Sequence, residues 1–186
     1  RDYAFDKHHR VDDTPYSERQ GMLMMAEPIW QCYKAIAGDR KPYVVFMSPK
    51  GKTMNQEKFK ELAKKPDLFI LCGHYEGVDQ RVLDEIADEE ISVGDYVLTG
   101  GELPACILVD AVSRLCDGVL SDSVCYEEES IASGLLEYPQ YTRPENFRGR
   151  EVPAVLLEGN HREIRKWRYL KAVSYTHLRA HETRHD

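Results

Sequence analysis

The chain lacks any long stretch without charged side chains. Its longest runs free of Asp, Glu, Lys and Arg are eight residues each, Pro42–Pro49 and Leu68–Tyr75. A membrane-spanning helix needs about 20 apolar residues, so the sequence contains no candidate for one. The chain starts Arg-Asp-Tyr-Ala-Phe-Asp-Lys, with neither an initiator Met nor the apolar core of a signal peptide. We therefore expect a soluble protein whose natural chain begins upstream of Arg1.

Cysteine is scarce, odd in number and without any C-x-x-C pair. The five cysteines are Cys32, Cys72, Cys106, Cys116 and Cys125. A secreted disulfide scaffold would carry more cysteines for its length, and a zinc ribbon would space them in close pairs. We interpret them as reduced thiols of a cytoplasmic protein, several of them buried as small apolar residues.

No residue type dominates the composition, which is that of a globular protein. The 186 residues are 42% hydrophobic and 31% charged, a length that suits one domain or one domain and a piece of a second. The formal net charge is −7, yet residues 143–186 carry ten Arg and Lys against six acidic residues. This basic end fits either a solvated charged helix or a contact with a polyanion, and charge alone favours the helix.

Apolar periodicity predicts strands that alternate with helices. Predicted strands are 43–47, ended by Ser48-Pro49-Lys50-Gly51, then 68–72 and 91–93; predicted helices are 21–38, 55–65, 78–87 and 102–115. Alternation of this kind indicates an α/β domain with a largely parallel sheet. Beyond residue 115 the chain becomes polar and acidic, residues 134–160 form a long connection, and a basic helix starts at 164–173.

Three loops follow the predicted strands within about 55 residues: Ser48–Gly51, Gly73–Gly77 and Gly94–Gly101. Ligands of open α/β sheets bind at the carboxyl ends of the strands, and glycine lets a backbone approach a ligand closely. None of the loops matches the dinucleotide or P-loop glycine patterns. Spacing alone leaves a ligand site and plain turns equally open.

One metal-binding pattern occurs at the end of the chain. His181-Glu182-Thr183-Arg184-His185 spells H-E-x-x-H, and His177 lies four residues earlier. Zinc proteases use such a helix with a third ligand further on and an apolar face that anchors it. Here the chain ends one residue later and the segment has few apolar residues, so we expect no metal site.

Residues 93–105 read Val-Gly-Asp-Tyr-Val-Leu-Thr-Gly-Gly-Glu-Leu-Pro-Ala. This stretch resembles the bacterial tRNA (guanine-N1)-methyltransferase family, TrmD, of the knotted SPOUT class. Further matching stretches run in order between about Arg1 and Lys171: Asp12–Tyr16, Gly21–Met24, Gly73–Asp79, Asp110–Arg114, Gly134–Pro144 and Gly159–His161. So many motifs in one order are far more specific than any single glycine loop.

The resemblance implies a trefoil-knotted α/β fold, a parallel sheet flanked by helices, with only the start of a helical C-terminal domain. It implies a homodimer that transfers a methyl group from S-adenosylmethionine to N1 of guanosine at tRNA position 37, next to the anticodon. On this basis residues 1–120 form the knotted donor-binding domain, 121–160 an interdomain linker, and 161–173 the start of a truncated tRNA-binding domain. Residues 174–186 are expected to be a non-native tail.

The resemblance also implies roles for individual residues. Those expected to hold the methyl donor are Met47, Ser48, Pro49, Gly73, Tyr75, Glu76, Gly77, Val93, Gly94, Asp95, Tyr96, Val97, Leu98, Gly100, Gly101 and Pro104. Arg114 is expected to stabilise the negative charge that develops toward O6 of guanine. Glu129, where the family commonly has Asp, is expected to remove the N1 proton.

Three departures from the family pattern bear on activity. Ser17-Glu18-Arg19 replaces a glycine-rich loop, which puts RNA or dimer contacts there in doubt. The family's first strand and helix would precede Arg1, and without them the sheet exposes an edge. Its C-terminal domain is cut near Lys171, leaving four basic residues for phosphate contacts: Arg162, Arg165, Lys166 and Arg168. An impaired fragment that binds the donor or RNA is therefore the alternative, and a zinc hydrolase the remote one.

Overall fold

The computed structural model describes residues 1–16, 21–119 and 135–182, with side chains up to Arg179. The chain divides into two compact units, Arg1–Leu120 and Ser121–Asp186. This division falls at residue 121, where the predicted linker begins. The roles of donor-binding domain, linker, tRNA-binding start and tail stay predictions. Within the described ranges, no helix is both long and apolar enough to cross a membrane.

The first unit alternates short strands and helices. In chain order it contains β1 Asp12–Asp13, β2 Leu23–Met24, α1 Ala26–Ala37, β3 Tyr43–Thr53, α2 Gln56–Leu62, β4 Leu68–Cys72, α3 Gln80–Ile86, β5 Glu89–Ser92 and α4 Glu102–Ser113. Strand β3 lies between β4 and β5, and both neighbours run parallel to it. Strands β1 and β2 form a separate antiparallel pair. The predicted α/β fold with a parallel sheet is confirmed.

Helices cover both faces of the parallel sheet. Val44 and Phe46 of β3 pack on one face with residues of α1 and α3, whereas Val45 and Met47 pack on the other with residues of α2 and α4. Successive side chains of a strand point to opposite faces, so the continuous apolar run of β3 supplies both cores. The sheet is thereby held between two layers of helices, with its strand ends left to form loops.

Strand β3 does not end at Met47, and the prediction that Ser48–Gly51 follows a strand end is wrong. Met47 and Lys52 both pair with Ile91 of β5, so the four residues between them bulge out of a strand that continues to Thr53. Gly51 permits this because a Cβ there would lie 2.4 Å from the backbone carbon of Glu90. This bulge lies in the central strand of the sheet, and bulges re-aim side chains and often occur next to functional sites.

Local signals explain where the helices begin and end. Helix α1 starts at Ala26 rather than near Gly21, because the backbone of residues 22–24 bonds to other segments as β2. It ends, as predicted, at Gly38, whose φ of 58° few other residues adopt readily. The side chain of Asn55 caps α2 by accepting a hydrogen bond from the Lys58 N–H at 2.9 Å.

Within its described residues, the second unit contains a small hairpin and a long helix. Strands β6 Asn146–Phe147 and β7 Arg150–Glu151 pair antiparallel, a short 3₁₀ turn spans Ala154–Leu156, and α5 runs from His161 to Glu182. Helix α5 continues past the predicted boundary at residue 173. The Thr176 hydroxyl accepts a hydrogen bond from the Leu136 N–H at 2.8 Å and donates one to the Ala172 carbonyl. The non-native origin of residues 174–186 stays a prediction.

Candidate methyl-donor site

A cleft of about 310 Å³ lies in the first unit, where the bulge of β3 meets the loops that follow β4 and β5. Fourteen of the sixteen predicted donor-binding residues line it: Met47, Ser48, Pro49, Gly73, Tyr75, Glu76, Gly77, Val93, Tyr96, Val97, Leu98, Gly100, Gly101 and Pro104. Gly94 and Asp95 do not line it. The three segments singled out in the sequence therefore form one cavity, although one of them is a bulge rather than a loop.

Five further residues line the cleft that the sequence analysis did not single out: Phe46, His74, Ile91, Ser92 and Thr99. His74 and Thr99 lie inside the matching motifs, so the motifs themselves could have indicated them. Phe46, Ile91 and Ser92 belong to strands, and all three are buried. Only the packing of the sheet brings them to the cavity, and no sequence signal sets them apart from other core residues.

Hydrogen bonds fix the loop of residues 73–77 on both sides. The Gly101 N–H donates to the Gly73 carbonyl at 3.0 Å, which ties this loop to the one after β5. On the other side, the Glu76 N–H donates to the Met22 carbonyl at 3.0 Å, and the Met24 N–H to the Gly77 carbonyl at 2.9 Å. Backbone bonds of this kind hold the cleft walls in place without using side chains that a ligand would need.

The loop after β5 presents apolar side chains at the cleft. It begins with a tight turn in which the buried Ser92 hydroxyl donates to the Gly94 carbonyl at 3.0 Å. Tyr96 and Val97 then line the cleft while remaining 54% and 82% exposed. Exposed apolar groups inside a cavity gain from contact with a flat apolar ligand, because that contact removes them from water.

The charges at the cleft suit a cation better than an anion. Neither Lys nor Arg occurs among the lining residues, whereas the Glu76 carboxylate does. Sites for phosphate-bearing cofactors use basic side chains or a glycine loop at a helix N-terminus, and the glycine patterns of such sites are missing here. The residues present therefore fit S-adenosylmethionine, whose sulfonium and ammonium groups are positive, better than a dinucleotide.

A histidine and a carboxylate pair at the rim of the cleft. The His74 Nε2 lies 2.5 Å from Oε1 of Glu102, the first residue of α4. The backbone N–H of Glu102, followed by this contact with His74, lowers the pKa of the Glu102 carboxyl. Nearby, burial raises the pKa of the Cys72 thiol, with Glu102 adding to the effect. A raised pKa favours the protonated thiol over the thiolate, which is the nucleophilic form of cysteine.

The two predicted catalytic residues are not brought together by the described residues. Arg114 follows directly after α4, is half-buried, and donates its backbone N–H to the Asp110 carbonyl at 3.3 Å, but it does not line the cleft. Helical spacing places it on the face of α4 that carries Leu103 and Ile107. Glu129 lies outside the described residues, as do Ser17, Glu18 and Arg19.

Two further candidate sites lie outside this cleft. Among the described residues, no group of three or more His, Cys, Asp or Glu side chains could hold a metal ion. The side chains of His181, Glu182 and His185 lie outside that description. A second groove of about 300 Å³ lies between α1 and β4, and its walls are almost wholly apolar. It offers few polar groups to orient a substrate.

Comparison with known proteins identifies a family of methyltransferases, which agrees with a cleft that suits a methyl donor. The family model described as tRNA (guanine-1)-methyltransferase TrmD matches residues 1–186. The chain is 55% identical over 178 residues to the tRNA (guanine-N(1)-)-methyltransferase of Ruminiclostridium cellulolyticum, covering 95% of this chain and 76% of that one. It is 54% identical over 183 residues to the enzyme of that name from Alkaliphilus oremlandii, covering 95% of this chain and 74% of that one. It is 51% identical over 179 residues to the enzyme of that name from Carboxydothermus hydrogenoformans, covering 96% of this chain and 70% of that one.

Proposed function

We propose, from the premise that this chain belongs to the tRNA (guanine-1)-methyltransferase family, that the cleft at the β3 bulge binds S-adenosylmethionine for methyl transfer to N1 of guanosine in tRNA. The chain is an enzyme of this kind by its family and by relatives at 51–55% identity. The observation that carries the proposal for the site is the convergence of three separate chain segments on one cavity without basic side chains.

The donor would be held chiefly by backbone groups and apolar side chains. Exposed apolar side chains of the cleft, such as Val97 and Leu98, would cover its adenine ring, and the Glu76 carboxylate would attract its positive groups. When bound, it supplies an activated methyl group on sulfur. The protein then needs to align that group with the acceptor nitrogen, which is the main requirement of a displacement reaction.

The acceptor requires two further groups from the protein. N1 of guanine carries a proton, so a base must remove it, and we assign this role to Glu129. Negative charge then develops toward O6, and we assign its stabilisation to the guanidinium of Arg114, which is always charged. Glu is one methylene longer than the Asp that is common in the family. The carboxylate chemistry is therefore kept, but the carboxylate extends farther from the backbone.

A homodimer is supported by the exposed side of α4. Leu103 and Ile107 are 64% and 47% exposed on one face of this helix. This exposed apolar pair lies on a face that also carries Asp110 and Arg114, a composition that suits a protein partner, and a second copy of the chain would cover it on both subunits. Because Arg114 shares that face, dimerisation would also bring the arginine into the interface.

The remaining features of the proposal follow the family. One is the trefoil knot of the SPOUT class, with which the close approach of the loops at Gly73 and Gly101 is consistent. The other is guanosine at tRNA position 37 as the target. Residues 121–160 would be the linker and residues 161–173 the start of the tRNA-binding domain, with residues 174–186 as a non-native tail. A tRNA substrate also supports a cytoplasmic location.

The test is donor binding followed by methyl transfer. Calorimetric titration of S-adenosylmethionine should show one site per chain, and transfer of labelled methyl groups should require guanosine at position 37 of a tRNA transcript. Val97→Asp, at an exposed cleft position, should abolish donor binding. Val109→Asp, exposed on α4 outside the cleft, should not. Failure to bind the donor would contradict the assigned site, and binding without transfer would favour the impaired fragment.

A further inference from the structure

The second unit contains a cleft of its own, of about 650 Å³ and mixed polar and aromatic lining. Tyr138, Tyr141 and Trp167 contribute three aromatic rings to its walls. Arg143 and Arg168 line the same cavity and contribute two guanidinium groups. Aromatic rings beside basic side chains are what proteins use to bind unstacked nucleotides, and a cleft of this composition differs sharply from the first unit's cationless site.

The rings are arranged so that they do not cover one another. Tyr141 and Trp167 have centroids 6.3 Å apart with their planes tilted by 53°, and Tyr141 is 49% exposed. The guanidinium carbon of Arg168 lies 4.9 Å from the centroid of Tyr138. An exposed ring that is tilted away from its neighbour keeps area available for a flat group to stack on.

Within the described residues, no ion pair engages the basic side chains of this cleft, whose lining also includes the Glu145 carboxylate. Among the described residues, neither Arg143 nor Arg168 forms an ion pair, and the same holds for Arg162, Arg165 and Lys166 at the start of α5; the ion pairs that the structure describes all join residues of the first unit. Uncompensated arginines at a concave surface attract a polyanion and can contact its phosphates directly.

We propose that this cleft binds a single unstacked nucleotide of the RNA substrate, with its base against Tyr141 and Trp167 and its phosphate held by Arg143 and Arg168. The side chains of Gln140 and Glu145 also line the cavity and can hydrogen-bond to a base edge. The unpaired cations favour RNA over an apolar or proline-rich peptide, which would leave them uncompensated. This inference rests on the proposed function, because it takes tRNA as the partner.

Tryptophan fluorescence tests whether a base stacks in the cleft. The chain has two tryptophans, and Trp30→Phe leaves Trp167 as the only one. Single-stranded RNA of ten mixed nucleotides should quench the emission of this variant, because a stacked base quenches indole. Polyphosphate of the same length binds through charge alone and should leave the emission unchanged. Quenching by both polymers, or by neither, would overturn the proposal.

Substitutions separate stacking from folding. Tyr141→Ala should weaken tRNA binding about tenfold, the order expected for loss of one stacked base, whereas Tyr141→Phe keeps the ring and should bind like the unmodified chain. Tyr169→Ala, also exposed but outside the cleft, serves as the matched control. Equal effects of Tyr141→Ala and Tyr169→Ala would contradict the site.

The two proposals fail in different ways. If donor binding and methylation persist but RNA leaves Trp167 unquenched, the nucleotide cleft is wrong and the proposed function stands. If RNA quenches Trp167 but no donor binds to the first unit, the assignment of the donor site is wrong and the nucleotide cleft stands.

Discussion

The backbone N–H of Gly101 donates a hydrogen bond to the carbonyl oxygen of Gly73, with nitrogen and oxygen 3.0 Å apart. This bond joins the loop after β5 to the loop after β4, and both loops line the proposed donor site. Gly101 is buried, and a Cβ at this position would lie 2.7 Å from Cα of Cys72. The two loops can approach this closely only because residue 101 has no side chain.

Gly101→Ala should therefore disturb the site and the fold together. The clash is with backbone, so a loop must move, and overpacking of this kind costs about 1–3 kcal/mol. We expect a lower melting temperature and a large loss of S-adenosylmethionine affinity, measured by thermal unfolding and calorimetry. Gly100→Ala is the matched control for the melting temperature, since the atoms nearest to its Cβ would belong to the side chains of Glu102 and His74, which can shift. Equal losses of melting temperature in the two variants would contradict the importance of the close approach.

Arg114→Ala should abolish methyl transfer while leaving the donor affinity nearly intact. The physical reason is that Arg114 lies outside the donor cleft and is assigned to the charge on the guanine. Single-turnover methylation and donor calorimetry on the same preparation measure the two effects. Arg40→Ala, a change at an exposed arginine that pairs with Asp67, should leave both unchanged. Turnover that survives in Arg114→Ala would remove this residue from the mechanism.

Lys58→Met should destabilise the first unit. The Lys58 ammonium lies 2.7 Å from Glu61 and 2.9 Å from Glu89, and hydrogen bonds to these carboxylates raise the pKa of Lys58. Glu89 is only 16% exposed, so removing Lys58 leaves a poorly solvated negative charge without this cation, although the Tyr43 hydroxyl still donates to it at 3.2 Å; we expect a cost of about 1–3 kcal/mol. Lys60→Met, which breaks the exposed pair with Glu57, should change the free energy of unfolding by less than about 0.5 kcal/mol. Urea unfolding at pH 7 measures both, and similar values would contradict the prediction.

Asp79 should contribute stability that acid removes. Its side chain pairs with Arg81 at 2.6 Å, and this hydrogen bond lowers the pKa of the Asp79 carboxyl. The contribution is complete above the ordinary carboxyl pKa of about 3.9 and is lost as the pH falls through the lower pKa of the folded state. Asp79→Asn keeps a capping oxygen for α3 but has no charge. The difference in unfolding free energy between the two chains should shrink below about pH 4, and a constant difference would contradict it.

Ile107→Glu should convert the proposed dimer into monomers. A carboxylate placed beside Leu103 on this face of α4 would have to leave water when the interface forms, and this desolvation opposes association. Sedimentation equilibrium measures the change in mass. Ile36→Glu is the matched control, because Ile36 has similar exposure on α1 and lies on a different helix. A dimer that persists in Ile107→Glu, or a monomer in the unmodified chain, would contradict the assignment of this face.

The sequence by itself determined most of the local elements and indicated the segments that line the cleft. The apolar run of Leu68–Cys72 indicates a strand, which the structure confirms as β4, and Asn55 and Gly38 lie at helix ends, because these signals depend on neighbouring residues. The glycine motifs also indicated most of the cleft lining. They did so through resemblance to a family, since spacing alone left plain turns as an equal alternative.

Only the tertiary structure decided which segments meet. The bulge in β3 exists because Met47 and Lys52 both pair with Ile91, a register that depends on packing between distant strands. The placement of Phe46 and Ile91 in the donor cleft, and of Tyr141 beside Trp167 in the second unit, likewise depends on contacts between residues far apart in the chain. Local propensity acts over a few residues, so helices, strands and turns can be predicted from the sequence. Strand register and the meeting of distant segments follow from the burial of whole helix and sheet faces, so they cannot be predicted in this way.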